Sequence, residues 1–258
     1  GQKAAIHIAD NAWVQNINIL QGAQITGDIT SDYNRRDADQ QLLLTRISFG
    51  QKADENGRAT NAADPDFQMR YDGNIKGQNN LAVVIAGGAT SLNGQHELYG
   101  LRVDQGATLY GNSEFTLNPE YNFTNNGTLS PGNSYGNMTI KGNFVQGADG
   151  RILVEASTTQ NDHVDVQGLA QLDGAIAAKV EQHHAVAIAD GAHRLAVNVG
   201  DHERRQVLVA DQPARPEPGA RAAGAVPAPG GTDRLPDDGA RRSGDPPAHR
   251  ANRSPAPC

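Results

Sequence analysis

Between Asn125 and Gly174 the chain is cut into short apolar-alternating runs by closely spaced turn signals. The text reads N-N-G-T-L-S-P-G-N-S, then M-T-I-K-G-N-F-V-Q-G-A-D-G-R-I-L-V-E-A, then D-H-V-D-V-Q-G-L-A-Q-L-D-G. Asn-Gly, Pro-Gly-Asn, Asp-Gly and Gln-Gly leave no uninterrupted stretch for a helix and demand many short strands joined by tight turns. A chain built this way is expected to form an elongated surface for display rather than a pocket for chemistry.

The length of 258 residues allows one large all-β domain or two smaller ones. Hydrophobic residues make up 37%, which suffices for a core, and 29 glycines bias that core towards small and β-branched groups. Aromatics are only 5%, so no aromatic cluster is expected to anchor it. A net charge of -7 repels phosphate, which argues against nucleic acid as a partner. Cys258 is the single cysteine, so no internal disulfide forms. No apolar run is long enough for a transmembrane helix. The opening Gly1-Gln2-Lys3 shows no leader pattern, and such a start is expected of a fragment of a longer chain.

An internal repeat gives the fold class. Ile17-Asn18-Ile19 leads into Gln21-Gly22-Ala23-Gln24-Ile25-Thr26-Gly27, and Leu101-Arg102-Val103 into Gln105-Gly106-Ala107-Thr108-Leu109-Tyr110-Gly111. Looser copies run from Val83-Val84-Ile85 to Gly94, from Val164-Asp165-Val166 to Gly174, and from Val186-Ala187-Ile188 to Leu195. The unit is strand, Gly turn, small residue, apolar residue, Gly turn. Alternation aims apolar residues to one side, Gly turns the corner, and Ala fits where one rung crowds the next. Stacked units predict a right-handed parallel β-helix over residues 1–200, with rungs of roughly 20–25 residues, about eight to ten in all. A sandwich or jelly roll is the competing all-β reading and requires antiparallel hairpins.

Residues 32–71 are longer, more polar and more charged than the repeat, and read as a protruding loop region suited to recognition. Within them Gln41 to Gly50 reads as a strand and Lys52 to Arg58 as a solvent turn. Residues 125–174 are expected to be the stable nucleus. Beyond residue 200 the text changes. Only Pro65, Pro119 and Pro131 of the 13 prolines precede it, no Phe, Tyr or Trp follows Phe144, and no Lys follows Lys179. Residues 201–258 therefore read as a disordered tail, either a flexible linker or an out-of-frame read of GC-rich DNA.

The run Asn126-Gly-Thr-Leu-Ser-Pro-Gly-Asn-Ser134, with Thr139 to Gly147 and Asp162 to Gly174, resembles the passenger region of bacterial autotransporters close to the membrane barrel. Ala4 to Tyr33 and Arg70-Tyr-Asp-Gly-Asn-Ile75 further resemble the stalk of subtilisin-like autotransporter serine proteases. The resemblance implies a β-helical stalk at the outer surface of a Gram-negative cell, its partners an adjacent effector domain and an outer-membrane β-barrel. Neither an effector domain nor amphipathic barrel strands occur within this sequence, so the expected function is a non-catalytic stalk for secretion and display. The alternative is an adhesin whose side loops, chiefly Asp32 to Tyr71, contact a host protein or glycan.

The chemistry-bearing residues give no catalytic, cofactor or metal site. The subtilisin-like G-T-S-x-[AM] and H-G-T motifs are missing, and Ser31, Ser130 and Ser134 sit in turn-like contexts. His183 and His184 are adjacent, so on a strand they point to opposite faces; with His163, His193 and His202 they read as surface histidines. Asp54, Asp64 and Asp66 offer oxygen ligands without a calcium-loop spacing. Asp162 and Asp165 do not make a paired-carboxylate site, and Gly87-Gly88 opens no helix for a phosphate. Asn122, Asn126 and Asn137 head glycosylation-like triplets but read as turn and ladder residues. Arg46, Arg58, Arg70 and Arg102 form no run, and Trp13 reads as a cap on the first rung or a contact with a preceding domain.

Overall fold

The computed structural model describes residues 4–157 and 159–180. The Val186 to Leu195 repeat, His183, His184, His193, His202 and the 201–258 tail lie outside the described residues. Those described form a parallel β-solenoid with no helix.

The coils follow one another along the chain. The first holds β1 (Ile6–Ile8) and β2 (Asn16–Ile19). The second holds β3 (Ile29–Ser31) and β4 (Thr45–Phe49), then a hairpin of β5 (Gln51–Ala53) and β6 (Ala59–Ala63), then β7 (Gln68–Tyr71). The third holds β8 (Ile75–Lys76), β9 (Leu81–Ile85) and β10 (Ala89–Leu92). The fourth holds β11 (Gly94–Leu98), β12 (Gly100–Val103) and β13 (Thr108–Gly111). The fifth holds β14 (Ser113–Leu117), β15 (Asn122–Asn125) and β16 (Thr128–Pro131). The sixth holds β17 (Asn137–Lys141), β18 (Asn143–Gln146) and β19 (Arg151–Ala156). The seventh holds β20 (His163–Val166), β21 (Ala170–Leu172) and β22 (Ala175–Val180).

Strands of successive coils stack on one another, making three sheets, and from β7 onward each strand pairs with the one three places later. The first is β1-β3-β8-β11-β14-β17-β20, the second β2-β4-β9-β12-β15-β18-β21, and the third β7-β10-β13-β16-β19-β22. All these pairings are parallel, and β5–β6 is the antiparallel exception among the named strands. That excludes the sandwich, whose hairpin pairing would appear throughout. In the first sheet Ile6 faces Ile29 and Ile29 faces Ile75, steps of 23 and 46 residues. The later steps, from Lys76 through Glu97 to Thr116 and from Glu114 through Thr139 to Asp165, are 21, 19, 25 and 26. The long step absorbs the β5–β6 excursion.

Alternation fixes the core. Along β19 residues alternate outward and buried, and the same period runs through β14, β16 and β20. Stacking then turns alternation into columns. In the second sheet Ile17, Ile47, Val83, Leu101, Phe123, Phe144 and Ala170 lie in register. In the third, Met69, Thr90, Leu109, Leu129, Ile152 and Ile176 do the same. Each buried large side chain stabilises the coil by about 1.5–3 kcal/mol relative to exposure.

Two sequence expectations are corrected. The core is not confined to small and β-branched groups: all five phenylalanines, Phe49, Phe67, Phe115, Phe123 and Phe144, are buried. Few aromatics suffice because a coil has a narrow interior, and Phe115, Phe123 and Phe144 occupy neighbouring positions there, with centroids 5.5 and 5.4 Å apart. The repeat copies also do not share one corner. Those at Val83 and Leu101 run from the second sheet into the third, but the copy at Val164 runs from the first sheet into the second.

Candidate functional surface

The stretch 32–71 divides into three parts. Thr45–Phe49 is core strand β4, with Phe49 fully buried. Residues 33–44 form a side loop tightened by Asp37, whose Oδ1 accepts from the Asp39 and Gln41 amides at 2.9 Å. Gln40 there takes a left-handed φ of 62°, and its carbonyl accepts from Arg36 Nη1 at 2.7 Å. Arg36 Nη2 meets Glu120 Oε1 at 3.3 Å, so a side chain of the second coil reaches the corner of the fifth. The third part is the hairpin. Asp54 Oδ1 accepts from the Asn56 and Arg58 amides at 2.8 Å, and Thr60 Oγ1 donates to the Lys52 carbonyl at 2.7 Å. Lys52, Ala53, Asn61, Ala62 and Ala63 are exposed, which leaves the hairpin projecting from the wall.

The corner between the third and first sheets carries a column of amides. Asp28 Oδ1 accepts from the Asn74 amide (2.8 Å), and Asn74 Oδ1 from the Gln95 amide (2.9 Å). Asn93 Oδ1 accepts from the Asn112 amide (3.1 Å), and Asn112 Oδ1 from the Asn137 amide (3.0 Å). Turn backbones that would otherwise be orphaned are thus satisfied by the coil before. The Leu129-Ser-Pro-Gly-Asn-Ser134 motif ends in the same corner and doubles back. Gly132 exchanges two backbone hydrogen bonds with Gly111, at 2.9 and 2.8 Å. Asn133 Oδ1 accepts from Ser91 Oγ at 2.7 Å, and its Nδ2 donates to Asn93 Oδ1 at 2.9 Å. The motif therefore clamps successive coils rather than presenting a nucleophile.

The other sequence candidates fall into structural roles where they are described. Asp54 and Asp64 each close a turn, Asp64 by accepting from the Asp66 amide at 3.1 Å. Asp162 is buried and accepts from the Gly136 and Glu155 amides at 2.9 and 2.7 Å; burial raises its carboxyl above the usual range, against the pull of those two bonds. Asp165 accepts instead from Gln167 Nε2 at 3.2 Å. His163 is exposed and its Nε2 lies 3.1 Å from Asn161 Nδ2. Ser31 Oγ donates to Asn80 Oδ1 at 2.6 Å, and Ser130 is half-buried within β16. Arg70 pairs with Asp72 and Arg102 with Asp104, within the third and second sheets. Gly87-Gly88 turns a corner, with the Asp64 backbone packed on Gly87 and the Phe67 carbonyl on Gly88. Trp13 is 46% exposed on the first coil, where its Nε1 donates to the Leu44 carbonyl at 3.2 Å. Among the described residues no three His, Cys, Asp or Glu side chains group as metal ligands.

Among the buried polar residues that sequence reasoning missed are Asn125, Gln146 and His96. Asn125 Nδ2 donates to Gln146 Oε1 at 3.2 Å, and Gln146 Nε2 donates to the Asp173 carbonyl, so amides continue the inner column where apolar residues stand in earlier coils. His96 sits inside the first sheet, 1% exposed, its ring stacked on Phe115 at 5.2 Å. A lone His in G-Q-H-E-L gives no signal, but its place in the alternation, two residues before buried Leu98, marks an inward position. Set against known proteins, the chain matches no family model, no curated protein and no solved structure.

Proposed function

We propose that the chain is a non-catalytic passenger stalk of an autotransporter, which supports secretion and display of an effector domain at the outer surface of a Gram-negative cell. The observation that carries this reading is the unbroken register of seven strands in each of two sheets, a scaffold that grows in one dimension. The step from solenoid to autotransporter rests on the turn motifs and on analogy of fold. Coil-by-coil folding from the barrel end gives such a stalk a way to bias export outward. The Phe115, Phe123 and Phe144 stack, beside and within residues 125–174, supports a stable nucleus there. Fused between a reporter domain and an outer-membrane barrel, the chain is expected to bring the reporter to the cell surface. A flexible Gly/Ser linker of equal length is expected to do so several-fold less well. Equal display by the two fusions would remove the stalk role.

The projecting hairpin favours one second reading, an adhesin that contacts a host protein or glycan through its side loops. Excising Lys52 to Ala62 and rejoining the ends with a short turn removes no core residue, since these side chains are not buried. The excision is expected to change stability by about 1 kcal/mol or less. The adhesin reading requires binding to host cells to disappear with the hairpin; binding that persists unchanged sinks it.

A further inference from the structure

We propose that the seam between β8 and β11 is an acid-operated joint in the solenoid wall, with His96 as its switch. The seam is short. Glu97 facing Lys76 is the single backbone pair registered between the two strands, against four between β9 and β12. The imidazole takes over where the ladder ends, and His96 Nδ1 accepts a hydrogen bond from the Ile75 amide at 3.2 Å. That bond fixes the neutral tautomer, because Nδ1 must be bare to accept and the ring proton then resides on Nε2. Nε2 is buried and has no hydrogen-bond partner.

Protonation reverses this arrangement. The new proton goes onto Nδ1, so the acceptor for the Ile75 amide becomes a donor and two N–H groups face each other. A cation then sits among Ile75, Phe115 and their apolar neighbours with neither ring nitrogen satisfied. Charges around it offer little relief. Lys76 on β8 and Glu97 on β11 are exposed on the outer face, and Glu114 of β14 is bound to Lys141 Nζ at 2.6 Å. On the inner side the Tyr71 hydroxyl of β7 donates to the Gly27 carbonyl at 2.8 Å, and burial pushes it up to about 12, so it stays neutral. Asp28, before β3, is the carboxylate whose charge favours His96 protonation, and its Oδ1 is already held by the Asn74 amide and Nδ2. β9 contributes only apolar side chains, Leu81 to Ile85.

Burial thus wins over Asp28 and lowers His96 from 6.5 to about 4. A folded-state value below the unfolded one means the open form binds the proton first as pH falls. The seam is therefore closed above pH 6.5, loosens progressively towards pH 4, and loosens no further below. The second and third sheets keep their full ladders at this level, so the opening is a parting of one wall rather than a break of the rod.

Backbone amide exchange on the full chain, corrected for intrinsic rates, tests this at several pH values in the wild type and in His96→Asn. The Asn carboxamide oxygen keeps an acceptor near the Ile75 amide but cannot titrate. The opening equilibrium of the segment 72–98 is expected to rise on the order of 100-fold between pH 7.5 and 4 in the wild type relative to the variant, with residues 122–156 unchanged. Parallel pH dependence in the two proteins overturns the joint. Should His96→Asn fail to fold, imidazole C2–H exchange of His96 in the wild type decides: a midpoint well below 6.5 upholds the proposal, and a midpoint near 6.5 ends it.

Discussion

Truncating Phe123 to alanine is expected to destabilise the solenoid by about 3–5 kcal/mol. Phe123 is fully buried, flanked by Phe115 edge-on at 5.5 Å and 87° and by Phe144 at 5.4 Å and 68°. Two aromatic contacts, each worth about 0.5–1.5 kcal/mol, vanish together with the transfer energy of the ring. The hole has little means of closing, because β15 is tied on one side to β12 and on the other to β18. Such rigid surroundings put a truncation at the costly end of its range. Thr116, in β14 and half-exposed, is the control, and Thr116→Ala is expected to cost no more than about 0.5 kcal/mol. Urea unfolding of the full chain measures both. In a stacked array each coil feels mainly its neighbours, so amide protection should fall in β12, β15 and β18 and persist in β2 and β4. A loss below about 1 kcal/mol would mean that the stack adapts, contrary to a close-packed interior.

The sequence shows the solenoid because its repeat encodes local demands, strand alternation and Gly corners, that do not depend on distant contacts. Leu101 to Gly111 is one such unit, and the structure places it across β12 and β13 as the pattern requires. The units at Phe123 and Phe144 do not match the repeat pattern in the sequence. Their second inward positions are Asn125 and Gln146, which break the apolar signature while preserving the register. Burying an amide is tolerable only when its partners are present. Those partners, the Arg151, Asp173 and Ala175 carbonyls, lie 26 to 29 residues away from the amides they satisfy. The same distance problem hides the clamp at Asn133 and the crossing of Arg36 to Glu120, 40 and 84 residues apart. The projecting hairpin was more legible, because Lys52 to Arg58 carries its own turn chemistry in Asp54 and Gly57. Side-chain chemistry at a surface needs no such long-range closure to be read. His96 was illegible for the same reason as the amides, since its hydrogen-bond partner Ile75 lies 21 residues earlier and its ring neighbour Phe115 on the next coil.

The corner at Gly50 gives the second large expectation, and a matched trio of substitutions separates its causes. Gly50 has a φ of +82°, and a Cβ there would lie 2.2 Å from the Gly87 carbonyl oxygen. Gly57, at the tip of the hairpin, has a φ of +74° with nothing within 4 Å. Gly87 has no left-handed φ, yet its Cβ would lie 2.7 Å from the Gly50 carbonyl oxygen. Gly57→Ala therefore carries backbone strain alone, about 1–2 kcal/mol. Gly87→Ala carries the clash alone, and Gly50→Ala carries both. The clash cannot be relieved cheaply, because the obstructing atoms are backbone. The Gly50 carbonyl accepts from the Asp64 amide at 2.8 Å, and the adjoining Phe49 carbonyl accepts from the Ala86 amide at 2.8 Å. Moving either strand to admit a methyl group breaks a ladder between the second and third coils. Gly50→Ala is accordingly expected to cost about 4 kcal/mol or more, in the exceptional range for a point change, and to expose β4 and β9 to exchange. Gly57→Ala should leave both strands protected. Equal costs for Gly50→Ala and Gly57→Ala would show that backbone conformation is all this corner demands, and that the second and third coils do not need to touch there.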